Sequence, residues 1–144
     1  MARVMREARQ GSGPAFAIVP LNFSHAVGQI RFFGRRRAER TAEIGYWLQR
    51  RHWGKGFGTE AVWLACAYGI SRMRLHRIVA KVVDGNRRST QVLKHVGFRL
   101  EARSRGTFRL GDRWVDELEF GLLSAELKEP RRTSRPRSKQ RDRL

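Results

Sequence analysis

The chain has 144 residues, of which 40% are hydrophobic, and this composition predicts one domain with a buried core. A formal net charge of +18 favours anionic partners such as nucleic acid, ribosomes or anionic cofactors, although solvated arginines account for it equally well. The single cysteine, Cys66, excludes an intramolecular disulfide. Because no apolar run could cross a bilayer and the first residues carry no export signal, we expect a cytoplasmic protein without a membrane partner.

Composition divides the chain into three parts. Residues 1–14 are polar and are predicted to form a loose leader, whereas residues 15–123 carry the periodic apolar pattern of a folded domain. Residues 124–144 are basic and are interrupted by Pro130 and Pro136, which predicts a mostly disordered tail. This tail is either a solvated extension or a site of weak electrostatic contact with ribosomal RNA or another polyanion.

Six segments of the domain have the composition or periodicity of β-strands. In the clearest one, Ala42, Ile44 and Tyr46 alternate with Glu43 and Gly45, so that the first three share one face. The predicted strands cover residues 15–20, 27–33, 41–48, 77–84, 98–110 and 115–123.

Two further segments have helical patterns. Apolar residues recur at helical spacing within residues 59–73, for which Thr59 is the predicted N-cap. Asn86 can cap a second helix that ends at Gly97. The resulting order, β-β-β-loop-α-β-α-β-β, predicts an α/β or α+β fold with one central sheet.

The loop between the third predicted strand and the first helix reads Trp53-Gly54-Lys55-Gly56-Phe57-Gly58-Thr59. Glycines let the main chain approach an anion, and a helix N-terminus adds unpaired N–H groups and a positive dipole end. The dinucleotide fingerprint fails because Thr59 stands where its third glycine belongs, and the nucleotide-triphosphate loop fails because glycine follows Lys55. The loop therefore suits a pyrophosphate held by main-chain N–H groups without a metal.

Three blocks of the sequence together resemble the GNAT family of N-acetyltransferases. The first block joins residues 42–48 to the glycine loop, the second contains Asn86 and Ser89 followed by Gly97-Phe98, and the third is the predicted hairpin at 110–116. Within the family, the chain is most similar to the branch that acetylates the N-termini of ribosomal proteins. The resemblance covers residues 15–123.

The resemblance implies a mixed central sheet with splayed parallel strands and flanking helices, and acetyl-CoA as the acetyl donor. The pantetheine arm would lie between the strands at 41–48 and 77–84, where main-chain N–H groups would polarise the thioester carbonyl. Too few residues precede Ala15 for the family's usual N-terminal strand and helix pair, so we expect that wall of the acceptor site to be absent. The implied cofactor-binding residues are Trp47, Leu48, Gly54, Lys55, Gly56, Phe57, Gly58, Thr59 and Asn86.

Two side chains are candidates for proton transfer. Glu43 could accept a proton from the substrate ammonium through water, or it could simply pair with an arginine. By the same resemblance, Ser89 would protonate the leaving thiolate; otherwise it is a polar first-turn residue and Asn86 only a helix cap. Cys66 is expected to be buried, and because the four histidines show no metal-ligand spacing, we expect no metal site.

The leading hypothesis is an acetyl-CoA-dependent N-acetyltransferase whose acceptor is a protein N-terminal amine, as on a ribosomal protein. A small-molecule amine is the alternative acceptor. A hypothesis of another class is a catalytically degenerate basic protein that binds nucleic acid or the ribosome, which the charge of +18 would suit. The intact glycine loop and the pair Asn86 and Ser89 favour the enzyme.

Overall fold

The computed structural model describes residues 2–5 and 13–129. Within these residues the chain forms one seven-stranded sheet and two α-helices. The strands are β1 (Ala2–Met5), β2 (Ala15–Pro20), β3 (Gly28–Arg36), β4 (Thr41–Leu48), β5 (Arg77–Val83), β6 (Arg99–Leu110) and β7 (Arg113–Leu123), and the helices are α1 (Phe57–Ser71) and α2 (Arg87–Val96). The strand order is β1-β2-β3-β4-β5-β7-β6, in which β4 and β5 are parallel neighbours.

Both predicted helices and all six predicted strands are present, so the predicted mixed α/β fold with a central sheet is confirmed. Several boundaries shift by a few residues, and the shift at the glycine loop matters for the site: α1 begins at Phe57 and its N-cap is Gly56 rather than Thr59. Gly56 has a φ of 83°, a left-handed conformation that glycine adopts without steric cost. The helix can therefore start directly after the loop.

The prediction of a loose leader was wrong for its first residues. Strand β1 lies within it and pairs antiparallel with β2, from Ala2 opposite Pro20 to Met5 opposite Ala17. The free edge of β2 offers main-chain hydrogen bonds to any segment that can lie beside it, and a short polar sequence gives little sign of this.

The predicted start of the disordered tail at residue 124 was also wrong. A short 3-10 turn at Ser124–Glu126 follows β7, and Leu127 packs against the core. The main-chain N–H of Lys128 donates to the carbonyl of Val96 at 2.9 Å, while Trp63 Nε1 donates to the carbonyl of Lys128 at 2.5 Å. These contacts hold the chain to the domain through Lys128, and residues 130–144 lie outside the described residues.

One side of the sheet, which we call the covered face, packs against both helices. On β4, Ala42 and Ile44 are each only 2% exposed, and they share one hydrophobic cluster with Val62 of α1 and Leu93 of α2. Buried residues alternate with less buried ones over residues 41–44 of β4 and along β5. Both helices therefore lie on the same side of the sheet.

The opposite side, which we call the open face, carries the intervening side chains of the same strands. Glu43 and Trp47 of β4 lie there, and Trp47 is 56% exposed. Lys81 of β5 and Glu119 of β7 are direct cross-strand partners and share this face. Neither α1 nor α2 packs on it.

The parallel strands β4 and β5 stay together for only three residues. Their pairing runs from Thr41 opposite Arg77 to Glu43 opposite Val79. Beyond this point β4 continues to Leu48 alongside β3, while β5 continues alongside β7. A gap therefore opens between the carboxyl-terminal halves of the two strands, and this confirms the prediction of splayed parallel strands.

Candidate functional site

A cavity of about 490 Å³ opens where β4 and β5 diverge. It is lined by the end of β4, by the glycine loop with the start of α1, and by α2 with the residue that precedes it. Eight of the residues predicted from the sequence lie in this lining: Trp47, Leu48, Gly54, Gly56, Gly58, Thr59, Asn86 and Ser89. The fold thus brings three separate segments of the chain to one site.

The other three predicted residues, Lys55, Phe57 and Glu43, do not line the cavity. Lys55 is exposed at the tip of the glycine loop. The ring of Phe57 packs edge-on against Phe23, with ring centroids 6.2 Å apart. The side chain of Phe57 therefore anchors the start of α1, and only its main chain is close to the glycines.

The glycine loop presents its main chain to the cavity. Gly54 and Gly56 both have positive φ values, 73° and 83°. The first helical hydrogen bond of α1 runs from Glu60 N to the carbonyl of Gly56 at 3.1 Å, so the N–H groups of residues 57–59 have no partner within the helix. A Cβ added at Gly56 would meet no atom within 4 Å, which shows that the space beside this main chain is open. The arrangement is that of an anion cradle.

A pair of hydroxyl groups connects β4 to α2 across the cavity. Tyr46 Oη lies 2.6 Å from Ser89 Oγ, and either atom can be the donor. The main-chain N–H of Ser89 donates to Asn86 Oδ1 at 3.2 Å, so Asn86 is indeed the N-cap of α2. Burial raises the pKa of Tyr46, while its hydrogen bond to Ser89 acts in the opposite direction. The phenol therefore stays protonated at neutral pH.

The sequence interpretation missed several cavity residues. Tyr46 was assigned to an apolar strand face, and its hydroxyl group, which needs a partner when buried, was the only signal for a site. Arg88, Gln91 and His95 also line the cavity, on or beside the same side of α2 as Ser89. Their polar character did not distinguish them from solvent-facing helix residues.

Glu43 lies on the open face, away from the two hydroxyl groups. Burial raises the pKa of its carboxyl, and the nearby Glu117 and Glu119 raise it further, while Lys81 lowers it. Lys81 Nζ is 3.8 Å from Glu43 Oε2, and no arginine of the described residues forms an ion pair with Glu43. A carboxylate with a raised pKa is a better proton acceptor than an ordinary glutamate.

Three other observations limit the chemistry of the described residues. Cys66 is buried in the core, as expected, and burial raises the pKa of its thiol far above the neutral range. No group of three His, Cys, Asp or Glu side chains between residues 13 and 129 is placed to hold a metal ion. In the same part of the chain, neither helix combines the length and apolarity needed to cross a membrane.

Known proteins resemble this chain in sequence and in fold. A family model described as an acetyltransferase (GNAT) domain matches residues 1–99. The uncharacterized N-acetyltransferase p20 of Bacillus licheniformis is 35% identical over 117 residues, covering 81% of this chain and 66% of p20. The [ribosomal protein uS5]-alanine N-acetyltransferase of Escherichia coli is 26% identical over 119 residues, covering 82% of this chain and 61% of that enzyme.

A solved structure adds a ligand to this comparison. RimJ of Mycobacterium smegmatis, determined in complex with CoA-disulfide, superimposes with a TM-score of 0.75 at 31% identity. The match covers 83% of this chain and 57% of that one. The chain thus spans less than two thirds of the length of these relatives.

Proposed function

The chain belongs to the GNAT acetyltransferase family, and we propose that it transfers the acetyl group of acetyl-CoA to a primary amine. The observation that carries this proposal is the cavity at the splay of β4 and β5, which joins the glycine loop to the Tyr46–Ser89 hydroxyl pair. Acetyl-CoA supplies an activated acetyl group together with a pyrophosphate and a long pantetheine arm. The cavity offers each of these groups a counterpart.

The glycine loop holds the pyrophosphate. Its main chain is accessible beside Gly56, and the N–H groups at the start of α1 add partial positive charge. This cradle needs no metal and no side-chain hydroxyl. Exposed Lys55 adds positive charge nearby.

The gap beside β4 holds the thioester end. Beyond Glu43 the edge of β4 that faces this gap has no hydrogen-bonding partner on β5. N–H groups on this edge are free to donate to the acetyl carbonyl, which stabilises the negative charge that develops on its oxygen. Trp47 and Leu48 supply cavity wall on the same stretch of strand.

The hydroxyl pair returns a proton to the leaving group. Ser89 Oγ donates its proton to the thiolate sulfur and regains one from Tyr46 Oη, which lies 2.6 Å away, and the phenolate then recovers a proton from solvent. A phenol is a better proton source than an alkyl hydroxyl, even though burial raises the pKa of Tyr46. Asn86 fixes Ser89 in this position by capping the helix.

Glu43 prepares the acceptor from the other side of the sheet. The amine approaches over the open face, where Glu43 takes up the ammonium proton, directly or through water. The raised pKa of Glu43 and the absence of an arginine partner within the described residues support this role. Donor and acceptor thus meet at β4 from opposite faces.

The acceptor is a protein N-terminal amine. The name of the Escherichia coli relative, which covers 82% of this chain, supports this choice. The net charge of +18 would hold such an enzyme close to ribosomal RNA. The basic residues of 130–144 lie outside the described residues, so their share in this contact is an expectation from composition alone.

The test combines binding with turnover. Calorimetric titration with acetyl-CoA should show one saturable site, and CoA thiol release should then be followed with N-terminal peptides of ribosomal proteins and with spermidine. Turnover with the peptides supports the proposal, whereas turnover with spermidine alone assigns a small-amine acceptor. Failure to bind acetyl-CoA, together with tight salt-sensitive binding to RNA, would establish the nucleic-acid-binding alternative instead.

A further inference from the structure

Two connections at one end of the sheet are rich in arginine. The first comprises the end of β3 and the β3–β4 turn, residues 34–40, and the second joins α1 to β5 through residues 72–76. We call residues 34–40 and 72–76 the basic turn pair. It contains six exposed arginines and one exposed glutamate: Arg35, Arg36, Arg37, Arg40, Arg72, Arg74 and Glu39.

Hydrogen bonds between the two connections fix their relative position. Arg35 Nη2 donates to the carbonyl of Met73 at 3.0 Å, and Arg40 Nε donates to the carbonyl of Arg74 at 2.7 Å. In return, the main-chain N–H of His76 donates to the carbonyl of Arg40 at 2.7 Å. The two connections therefore form one surface, and their main chain does not have to be ordered when a partner binds.

Most of the positive charge of the basic turn pair has no carboxylate partner. Glu39 pairs with Arg36 at 2.6 Å, and no other arginine of the pair forms an ion pair with a described residue. Within the described part of the chain, the side chains of Arg37, Arg72 and Arg74 also make no hydrogen bond. These three guanidinium groups are therefore available to an external anion.

Two arginines of the pair have a backbone conformation that is unfavourable for their residue type. Arg40 and Arg74 have φ values of 55° and 58°, and among the described residues they are the only non-glycine residues with a positive φ. Glycine and asparagine adopt this left-handed conformation at less cost. The guanidinium of Arg40 offsets the cost by donating to the carbonyl of Arg74, whereas the side chain of Arg74 makes no such contact. An arginine at position 74 therefore points to a partner outside the domain.

We propose that the basic turn pair docks the protein on the phosphate backbone of RNA. Guanidinium groups bind phosphate oxygens through paired charge-assisted hydrogen bonds. None of the large hydrophobic side chains that are exposed among the described residues lies in the pair, so it lacks the apolar residues that insert into a membrane surface. The choice of RNA rather than DNA rests on the proposed function, because an enzyme that modifies ribosomal proteins works beside RNA.

The basic turn pair lies away from the donor cavity. It adjoins Thr41 and Arg77, the first residues of β4 and β5, whereas β4 lines the cavity only from Tyr46 onward. A strand rises about 3.3 Å per residue, so Tyr46 lies roughly 17 Å further along β4 than Thr41. RNA bound at the pair would leave the cavity open, and variants of the pair should bind acetyl-CoA normally.

The experiment measures binding of a fluorescently labelled RNA hairpin to the full chain by anisotropy over a range of salt concentrations. The test variant changes the three arginines without a partner: Arg37→Gln, Arg72→Gln and Arg74→Gly. The control removes equal charge from exposed positions of α2 and the β6–β7 hairpin: Arg87→Gln, Arg105→Gln and Arg113→Gln. The test variant should bind RNA at least about tenfold more weakly at physiological salt, and the slope of log affinity against log salt should fall by about 2–3. The control should lose less than about threefold.

The single variant Arg74→Gly separates a binding role from a structural one. Glycine adopts a φ of 58° without strain, so the Tm should be nearly unchanged, while RNA affinity should fall about twofold or more. A lowered Tm with unchanged RNA affinity would assign Arg74 to the fold and overturn its part in docking.

Equal losses of RNA affinity in the test variant and the control would overturn the basic turn pair as the docking surface. Unchanged RNA binding by the test variant, with weaker binding to phosphatidylserine vesicles, would overturn it in favour of a membrane. Titration of the wild type with acetyl-CoA keeps the two proposals apart. Binding of acetyl-CoA without binding of RNA contradicts this inference alone, and binding of RNA without acetyl-CoA contradicts the proposed function alone.

Discussion

Strand β4 contributes side chains to both faces of the sheet, and these side chains differ in burial and in their contacts. On the covered face, Ile44 is buried beneath the helices and Tyr46 reaches Ser89 at the cavity. On the open face, Glu43 is half-buried and Trp47 is mostly exposed. The proposed donor site therefore rests largely on main-chain geometry at the cavity, whereas the proposed acceptor side is a surface of individual side chains.

A substitution in the glycine loop should have the largest effect of those that compare the two faces, and the quantity it changes is the affinity for acetyl-CoA. Replacing Gly56 by Val places a β-branched residue at a φ of 83° and fills space beside the loop amides, so acetyl-CoA affinity should fall at least about 100-fold. Gly111→Val is the matched control, because Gly111 has a φ of 60°, equally open surroundings and a place in the β6–β7 turn. Calorimetric titration should show normal binding by the control. Equal affinity losses in both variants would mean that strain, not the cradle, is responsible.

The two faces should also differ in how much one side chain contributes to the free energy of unfolding. Ile44→Ala removes a side chain that is 2% exposed and should lower the free energy of unfolding by about 2–5 kcal/mol. Trp47→Ala on the open face should cost less than about 1 kcal/mol, because the side chain is 56% exposed. Urea unfolding measures both. A large loss for Trp47→Ala would show that the open face is covered by other parts of the protein.

The hydroxyl pair tests the chemistry on the covered face. Ser89→Ala should lower kcat about 100-fold and Tyr46→Phe about tenfold, with acetyl-CoA affinity nearly unchanged. Because the two hydroxyl groups act as one unit, the double variant should be little worse than Ser89→Ala alone. Steady-state thiol release with a saturating donor measures these effects. Strictly multiplicative losses would show that Tyr46 does not act through Ser89.

The activity of the protein should depend on pH through the carboxyl of Glu43 on the open face. Because the base must be deprotonated, activity should fall as pH drops through its raised pKa, and Glu43→Gln should remove this acid limb and lower kcat/KM by up to about tenfold at pH 7. Glu117→Gln is the control, since losing this neighbour lowers the pKa of Glu43 and moves the limb to lower pH. An unchanged profile in both variants would remove Glu43 from the mechanism.

The raised pKa of Glu43 also predicts how this carboxyl changes the stability of the fold with pH. A carboxyl whose pKa is raised in the folded state stabilises the protein only at low pH, and this contribution is lost as pH rises through that pKa. At pH 7 the Glu43→Gln variant should therefore be at least as stable as the wild type. A lowered Tm would instead assign Glu43 a structural role with Lys81.

Local patterns were enough to predict most of the fold. Alternation along 41–48 and helical spacing after the glycine loop both depend on neighbouring residues, and the sequence contains these directly. The ends of the domain could not be predicted in this way. Strand β1 depends on the free edge of β2, and the turn at Ser124–Glu126 leads to contacts with the end of α2, so both need tertiary partners.

The candidate site likewise contains features that the local sequence predicts and features that it does not. The glycine loop was predictable because its spacing alone implies an accessible main chain. The contacts from Tyr46 to Ser89 and from Trp53 to Arg88 join segments far apart in sequence, and a pattern along one strand or helix cannot reveal them. The sequence interpretation consequently placed Tyr46 only on the strand face that it shares with Ala42 and Ile44, and it gave Arg88 no role.

The most direct test of the donor site follows backbone amide chemical shifts by NMR while CoA is added to the wild-type protein. We expect saturable changes that are largest at Gly54, Gly56 and Gly58 and at Ser89, with smaller changes on the open-face residues of β7. Absence of any saturable change, or changes confined to the β6–β7 hairpin, would contradict the assignment of the cavity as the site for the donor.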